Sequence, residues 1–165
     1  MKVLIAVNDS KESRNVIEQI ATRPWRAETQ FKVMTVVASL DNHKWTDWGL
    51  GVDDEDLTEF KTKATDLVNR YGGRIKALMD GGNFVEGQVR VGHVCDEVIA
   101  ELKAWDADLL VIGAHENKGV PDVILGNNAR HLLNHAPCSV QIIKMRPVRA
   151  TARDGFAATN VPCCS

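Results

Sequence analysis

The sequence predicts a single doubly wound α/β domain, a five-stranded parallel sheet of order 3-2-1-4-5 with helices on both faces. Three observations lead there. Five short apolar, β-branched runs alternate along the chain with segments of helical period. Strands separated in this way by helices run parallel, with right-handed crossovers. The 165 residues are enough for one full core and too few for two.

The first run, Val3 to Val7, stops at Asn8-Asp9, and a helix is expected to begin after Asp9, with Glu12 three residues on in the pattern of a capping box. Val16, Ile17, Ile20 and Ala21 mark its buried face. Phe31 to Val37 is the second strand. Asp41 to Val52, which carries Trp45 and Trp48, leaves the carboxyl end of that strand and is read as a self-packed surface loop; folding over a ligand or supporting a partner are the alternatives. The second helix opens with Asp53-Asp54-Glu55-Asp56, acids suited to the positive end of a helix dipole rather than a metal site, and continues through Leu57, Phe60, Ala64, Leu67, Val68 and Tyr71. Val85 to Val91 is the weakest strand, because polar and apolar residues alternate along it. Val94, Val98, Ile99 and Leu102 define the third helix, Leu109 to Ile112 the fourth strand, Ala129, Leu132 and Leu133 the fourth helix, and Ser139 to Ile143 the last strand. The domain is thus assigned to residues 1–145. Residues 146–165 have no sustained period and are expected to form a flexible tail.

In this strand order the sheet reverses direction between strands one and four, and ligands of such folds bind in the crevice at that switch point. Asn8-Asp9 and Gly113-Ala114-His115 should therefore be neighbours. From Leu109 to Lys144 the chain reads as a buried strand, a glycine-bearing loop, a helix start at Gly126-Asn127-Asn128 and a second buried strand. A loop feeding a helix start offers unpaired N–H groups and the positive end of a dipole to an anion. Here Glu116 adds a negative charge to the loop, and Asn127 stands where a hydroxyl residue is expected.

Composition excludes several classes of function. Acidic residues outnumber basic ones, 22 to 20, with the signs mixed, so no nucleic-acid footprint is present. No apolar run approaches bilayer length, and MKVLIAV is too short and too soon interrupted to be a signal peptide, so a cytoplasmic protein without membrane contact is expected. Cys95 and Cys138 read as buried free thiols in a reducing compartment. The vicinal Cys163 and Cys164 miss the prenylation pattern, because Pro162 takes the fourth position from the end.

Motifs narrow the choice further. A Walker A loop is excluded by the order of Gly113 and Lys118, and a dinucleotide fingerprint by Asn8-Asp9-Ser10-Lys11 after strand one. A phosphoacceptor receiver domain would find its acid in Asp9 and its lysine in Lys144, but strand three ends Val91-Gly92-His93 without an aspartate to phosphorylate. His131 and His135 lie four apart with Cys138 just beyond, a spacing able to ligate zinc. No carboxylate or second cysteine completes a set, and a helix C-terminus favours histidine, so no metal site is assigned. His115, on the crevice loop, has the better claim to touch ligand. No nucleophile and base pair is visible, and no catalytic residue is assigned.

The stretch Val91 to Lys144, with ADLLVIGAH, the spaced Gly113 and Gly126, and HAPCSVQIIK, resembles the universal stress protein family, as does the opening VLIAVNDSKES. The resemblance covers residues 1 to 145. It implies an adenine nucleotide alpha-hydrolase-like fold, a homodimer formed through the last strand, and a cytoplasmic role in survival under stress. ATP-binding members carry glycine, two residues, glycine, nine residues, then glycine followed by serine or threonine. This chain keeps the outer spacing with Gly113 and Gly126, but has Glu116 for the middle glycine and Asn127 for the hydroxyl residue. The family's aspartate after strand one corresponds to Asn8, and Val37 to the backbone position near adenine. A unit charge about 5 Å from a phosphate at an effective dielectric near 20 is repelled by roughly 3 kcal/mol, about a hundredfold in affinity. The resemblance thus implies a degenerate crevice, formed by Asn8, Asp9, Val37, Gly113, Ala114, His115, Glu116, Gly126, Asn127 and Asn128. It would take ATP or AMP weakly or not at all, with magnesium only alongside nucleotide, in a protein acting through dimerisation and contacts with unidentified protein partners. An ATP-binding switch is the alternative, and slow ATP hydrolysis, tested at Asp9 and His115, the one enzymatic reading.

Overall fold

The computed structural model describes residues 1–38, 54–79, 83–114 and 126–144. Its elements are β1 (Lys2–Ala6), α1 (Lys11–Ala21), β2 (Gln30–Ala38), α2 (Asp54–Leu78), β3 (Phe84–Gly92), α3 (Val94–Trp105), β4 (Leu109–Gly113), α4 (Asn127–His135) and β5 (Ser139–Ile143). The five strands form one parallel sheet in the order β3-β2-β1-β4-β5, as the alternation of strand and helix requires. The first strand of the chain is the central one: Val3 lies opposite Phe31 on one side and Leu109 on the other.

Alternation along the strands divides the core in two. Val3, Ile5, Phe31, Val33 and Val111 face Val16, Ile17 and Ile20 of α1 and Leu67, Val68, Tyr71 and Ile75 of α2. On the other face, Leu4, Met34, Leu110 and Ile112 meet Val98 and Leu102 of α3 and Leu132 of α4. Both faces are covered, which is why these strands read as continuous apolar runs. Leu133, expected on the buried face of α4, is exposed, and Leu132 alone supplies that helix's fully buried contact.

Two helix boundaries differ from expectation. α1 is capped by Ser10, not Asp9: the Ser10 hydroxyl accepts from the Ser13 N–H at 3.1 Å. Asp9 is drawn instead toward Arg14 and Arg70, at 3.6 and 3.8 Å. α2 runs past Tyr71 and through Gly72-Gly73 to Leu78. The glycine pair weakens a helix, but Ile75 and Met79 beyond it are buried, and Arg74 donates two hydrogen bonds to Glu18 of α1, so packing outweighs propensity.

The second core also holds charge. Lys32 of β2 and Glu101 of α3 are 6% and 4% exposed, and Arg90 of β3 binds the other carboxylate oxygen of Glu101. The Lys32 ammonium also lies 4.6 Å from the centroid of the Trp105 ring. Burial pushes the Glu101 carboxyl up, but the hydrogen bonds from Lys32 and Arg90 outweigh it and hold the group below its usual range.

No helix among the described residues is long and apolar enough to cross a membrane. The Trp45/Trp48 loop, Lys118 and the segment beyond Lys144 with Cys163 and Cys164 lie outside the described residues.

Candidate functional site

A crevice of about 520 Å³ opens at the carboxyl ends of β1 and β4, where the strand order reverses. Ala6, Val7 and Asn8 at the end of β1 and Ile112 and Gly113 at the end of β4 form its floor. Met34 and Val36 of β2 and Val94 and Val98 of α3 make an apolar wall on one side. Ser10, Glu12 and Ser13 at the start of α1, and Gly126, Asn127, Asn128, Ala129 and Leu132 of α4, complete it.

The two sequence segments expected to meet do so. Gly113 is pressed against the first turn of α1: a Cβ there would lie 3.1 Å from the Glu12 Cβ and 3.3 Å from its carbonyl carbon. Glycine is what lets β4 and α1 approach and close the crevice floor. Gly126 differs. Its φ of −57° suits any residue, and a Cβ would meet nothing within 4 Å among the described residues, so neither backbone nor packing calls for glycine there.

Asn8 is held by a hydroxyl hub. Its main-chain N–H donates to the Ser13 hydroxyl at 3.0 Å, and that hydroxyl donates to Asn8 Oδ1 at 2.7 Å. The Ser10 hydroxyl donates to Ser13 Oγ at 3.2 Å. The hub welds the end of β1 to the start of α1 through the Asn8 main chain and Oδ1, and the Asn8 amide nitrogen has no hydrogen-bond partner among the described residues. Among the described residues neither hydroxyl bonds an imidazole, amine or carboxylate.

At the opposite wall, α4 begins at Asn127 with Gly126 as its N-cap and no side-chain capping bond. The first-turn N–H groups of such a helix have no intrahelical acceptor and carry the positive end of the dipole. Cys95 of α3 supports this turn from below, its Sγ 3.8 Å from the Asn128 carbonyl oxygen and 3.7 Å from Asn128 Oδ1. Burial, with Asp96 adding to it, pushes the Cys95 thiol up, so it packs as a neutral group. Burial likewise raises the Cys138 thiol.

Of the residues anticipated from sequence, Asn8, Gly113, Gly126, Asn127 and Asn128 come together around the crevice. Ala114 is buried directly behind Gly113, its N–H donating to the Ile143 carbonyl at 2.9 Å. Asp9 is not among the lining residues and stays exposed beside its two arginines. Val37 also stands outside the lining; it sits near the carboxyl end of β2, opposite Val91. His115 and Glu116 lie outside the described residues. Ser10, Ser13, Met34, Val36, Val94 and Val98 were not anticipated. Period-two alternation held the signal for two of them, since it places Met34 and Val36 on the α3 face and Val37 on the other.

The described lining contains no lysine or arginine, and Glu12 is its one charged residue. No group of three or more histidine, cysteine, aspartate or glutamate side chains able to hold a metal ion occurs among the described residues.

Known proteins share this architecture. A universal stress protein of Synechocystis is 25% identical over 152 residues, covering 87% of this chain and 97% of its own. The solved structure of universal stress protein UspA from Lactobacillus plantarum superposes with a TM-score of 0.67 at 20% identity, covering 87% of this chain and 97% of that one. A universal stress protein family protein from Arabidopsis thaliana, solved with AMP bound, gives a TM-score of 0.62 at 20% identity, with 88% and 92% covered. The description "Universal stress protein family" matches residues 1–144, and the chain belongs to that family.

Proposed function

We propose that this protein is a cytoplasmic stress-response regulator that works through protein contacts as a homodimer, and that its crevice takes an adenine nucleotide weakly, preferring a monophosphate to ATP. The observation that carries the ligand preference is the charge of the lining. One helix start, at Gly126-Asn127-Asn128, is available for one phosphate, while the described walls supply no cation and do supply Glu12. A triphosphate would bring further negative charge to a crevice whose described walls supply no lysine or arginine, and Glu116 adds a negative charge in sequence. The apolar wall of Met34, Val36, Val94 and Val98 suits a base, and the related Arabidopsis protein was solved with AMP.

Dimerisation is proposed through β5, the edge strand on the α4 side, whose Val140 and Ile142 are only partly buried. Sedimentation equilibrium is expected to give twice the chain mass. A monomer at high concentration would overturn this part.

The ligand is tested by denaturing protein purified without added nucleotide, identifying any released small molecule by chromatography and mass, and titrating the emptied protein with AMP and with magnesium-ATP. Tighter binding of AMP is expected. Stoichiometric ATP released on denaturation would instead favour the second reading, a genuine ATP switch, for which the retained Gly113 to Gly126 spacing speaks.

A further inference from the structure

We propose that His131 and His135 form a two-histidine chelating site, at the carboxyl end of α4, for a borderline divalent transition metal such as nickel, copper or zinc. The two side chains are four residues apart on one helix face, both exposed, with ring centroids 4.2 Å apart and planes inclined by 18°. Spacing of this kind brings two imidazoles within reach of one ion.

The second observation concerns the proton. His135 Nδ1 lies 2.9 Å from the main-chain carbonyl oxygen of His131. A carbonyl only accepts, so Nδ1 carries the hydrogen, and in the neutral ring the lone pair resides on Nε2. Metal-bound imidazoles are characteristically oriented by such a bond from their other nitrogen. His131 makes no side-chain hydrogen bond among the described residues, so its ring is free to turn. Imidazole lone pairs lie in the ring plane; binding therefore exchanges the stack for a convergent pair by rotation of His131, with His135 held in place. The last turn of a helix also carries the negative end of the dipole, which favours a cation.

Two neutral nitrogen donors select against magnesium and calcium, which take oxygen ligands, and leave coordination positions for water or a further ligand. The site lies on the helix whose other end lines the crevice, and it is independent of whether nucleotide binds there.

The test uses the full chain, with imidazoles neutral, titrated with nickel chloride and followed by amide-resolved NMR. Line broadening centred on residues 131–136 is expected, and it should vanish there in His131→Asn and in His135→Asn while the rest of the spectrum keeps its folded dispersion. Magnesium chloride should leave these resonances unmoved. Broadening centred elsewhere, or persisting around the remaining histidine in either single variant, would overturn the chelate.

Discussion

Lys32 Nζ lies 2.7 Å from Glu101 Oε1, and the two buried side chains pin α3 to β2 directly beneath the crevice wall that the start of α3 supplies. Removing Lys32 leaves Glu101 buried and charged with the half-exposed Arg90 as its remaining partner. Lys32→Met is therefore expected to cost about 3–5 kcal/mol in urea unfolding, and pairing it with Glu101→Leu to recover most of that loss. A double-mutant cycle measures the coupling; additive single and double effects would show that the pair does not act as a unit.

The same pair sets a pH dependence. Glu101 has its folded-state value below its unfolded one, so its contribution is complete above the ordinary glutamate value of about 4.3 and is lost as pH falls through the folded value. Urea stability of the wild type should fall more steeply than that of Glu101→Gln below about pH 4.3. Parallel curves would contradict the assignment.

Much of this fold was legible in the sequence because the β-branched runs are bounded by turns and separated by amphipathic helices. That pattern fixed five strands, and the sheet order then made neighbours of Asn8 and Gly113. What escaped notice depended on choices between adjacent residues. Asp9 and Ser10 are both good N-caps, and only the position of Ser13 and the pull of Arg14 and Arg70 decide between them. Gly72-Gly73 has poor helix propensity, and the full burial of Ile75 beyond it is what carries the helix on past Tyr71. Lys32 hides inside an apolar run because its partner, Glu101, is 69 residues away.

The hydroxyl hub gives a third expectation. Ser13 is 5% exposed and its hydroxyl takes part in three hydrogen bonds, so Ser13→Ala should cost about 1–2 kcal/mol and loosen Asn8 at the crevice floor. Chemical denaturation measures the first effect, and amide exchange at Asn8 the second. An unchanged exchange rate would mean that the hub does not hold the crevice floor.

The two crevice glycines should separate in behaviour. Gly113→Ala forces a Cβ against the main chain of Glu12 and is expected to destabilise by about 1–3 kcal/mol. Gly126→Ala meets no described atom and should stay within about 0.5 kcal/mol of wild type. If nucleotide occupies the helix start, Gly126→Ala should nevertheless weaken AMP binding in a calorimetric titration. Unchanged affinity would move the phosphate away from Gly126.

The central position of β1 has a consequence for biosynthesis. Of the five strands of this sheet β1 is made before the others, and it cannot complete its pairing until β4 follows, since Lys2 meets Asp108, 106 residues further along. Until then a fully apolar strand, Val3 to Ile5, has one edge open, a template for mispairing with other nascent chains. Productive folding of this sheet is therefore expected to wait until β4 has been translated. A destabilising change in β4 would act first by prolonging that exposed interval, so its earliest symptom in the cell should be aggregation rather than loss of a ligand.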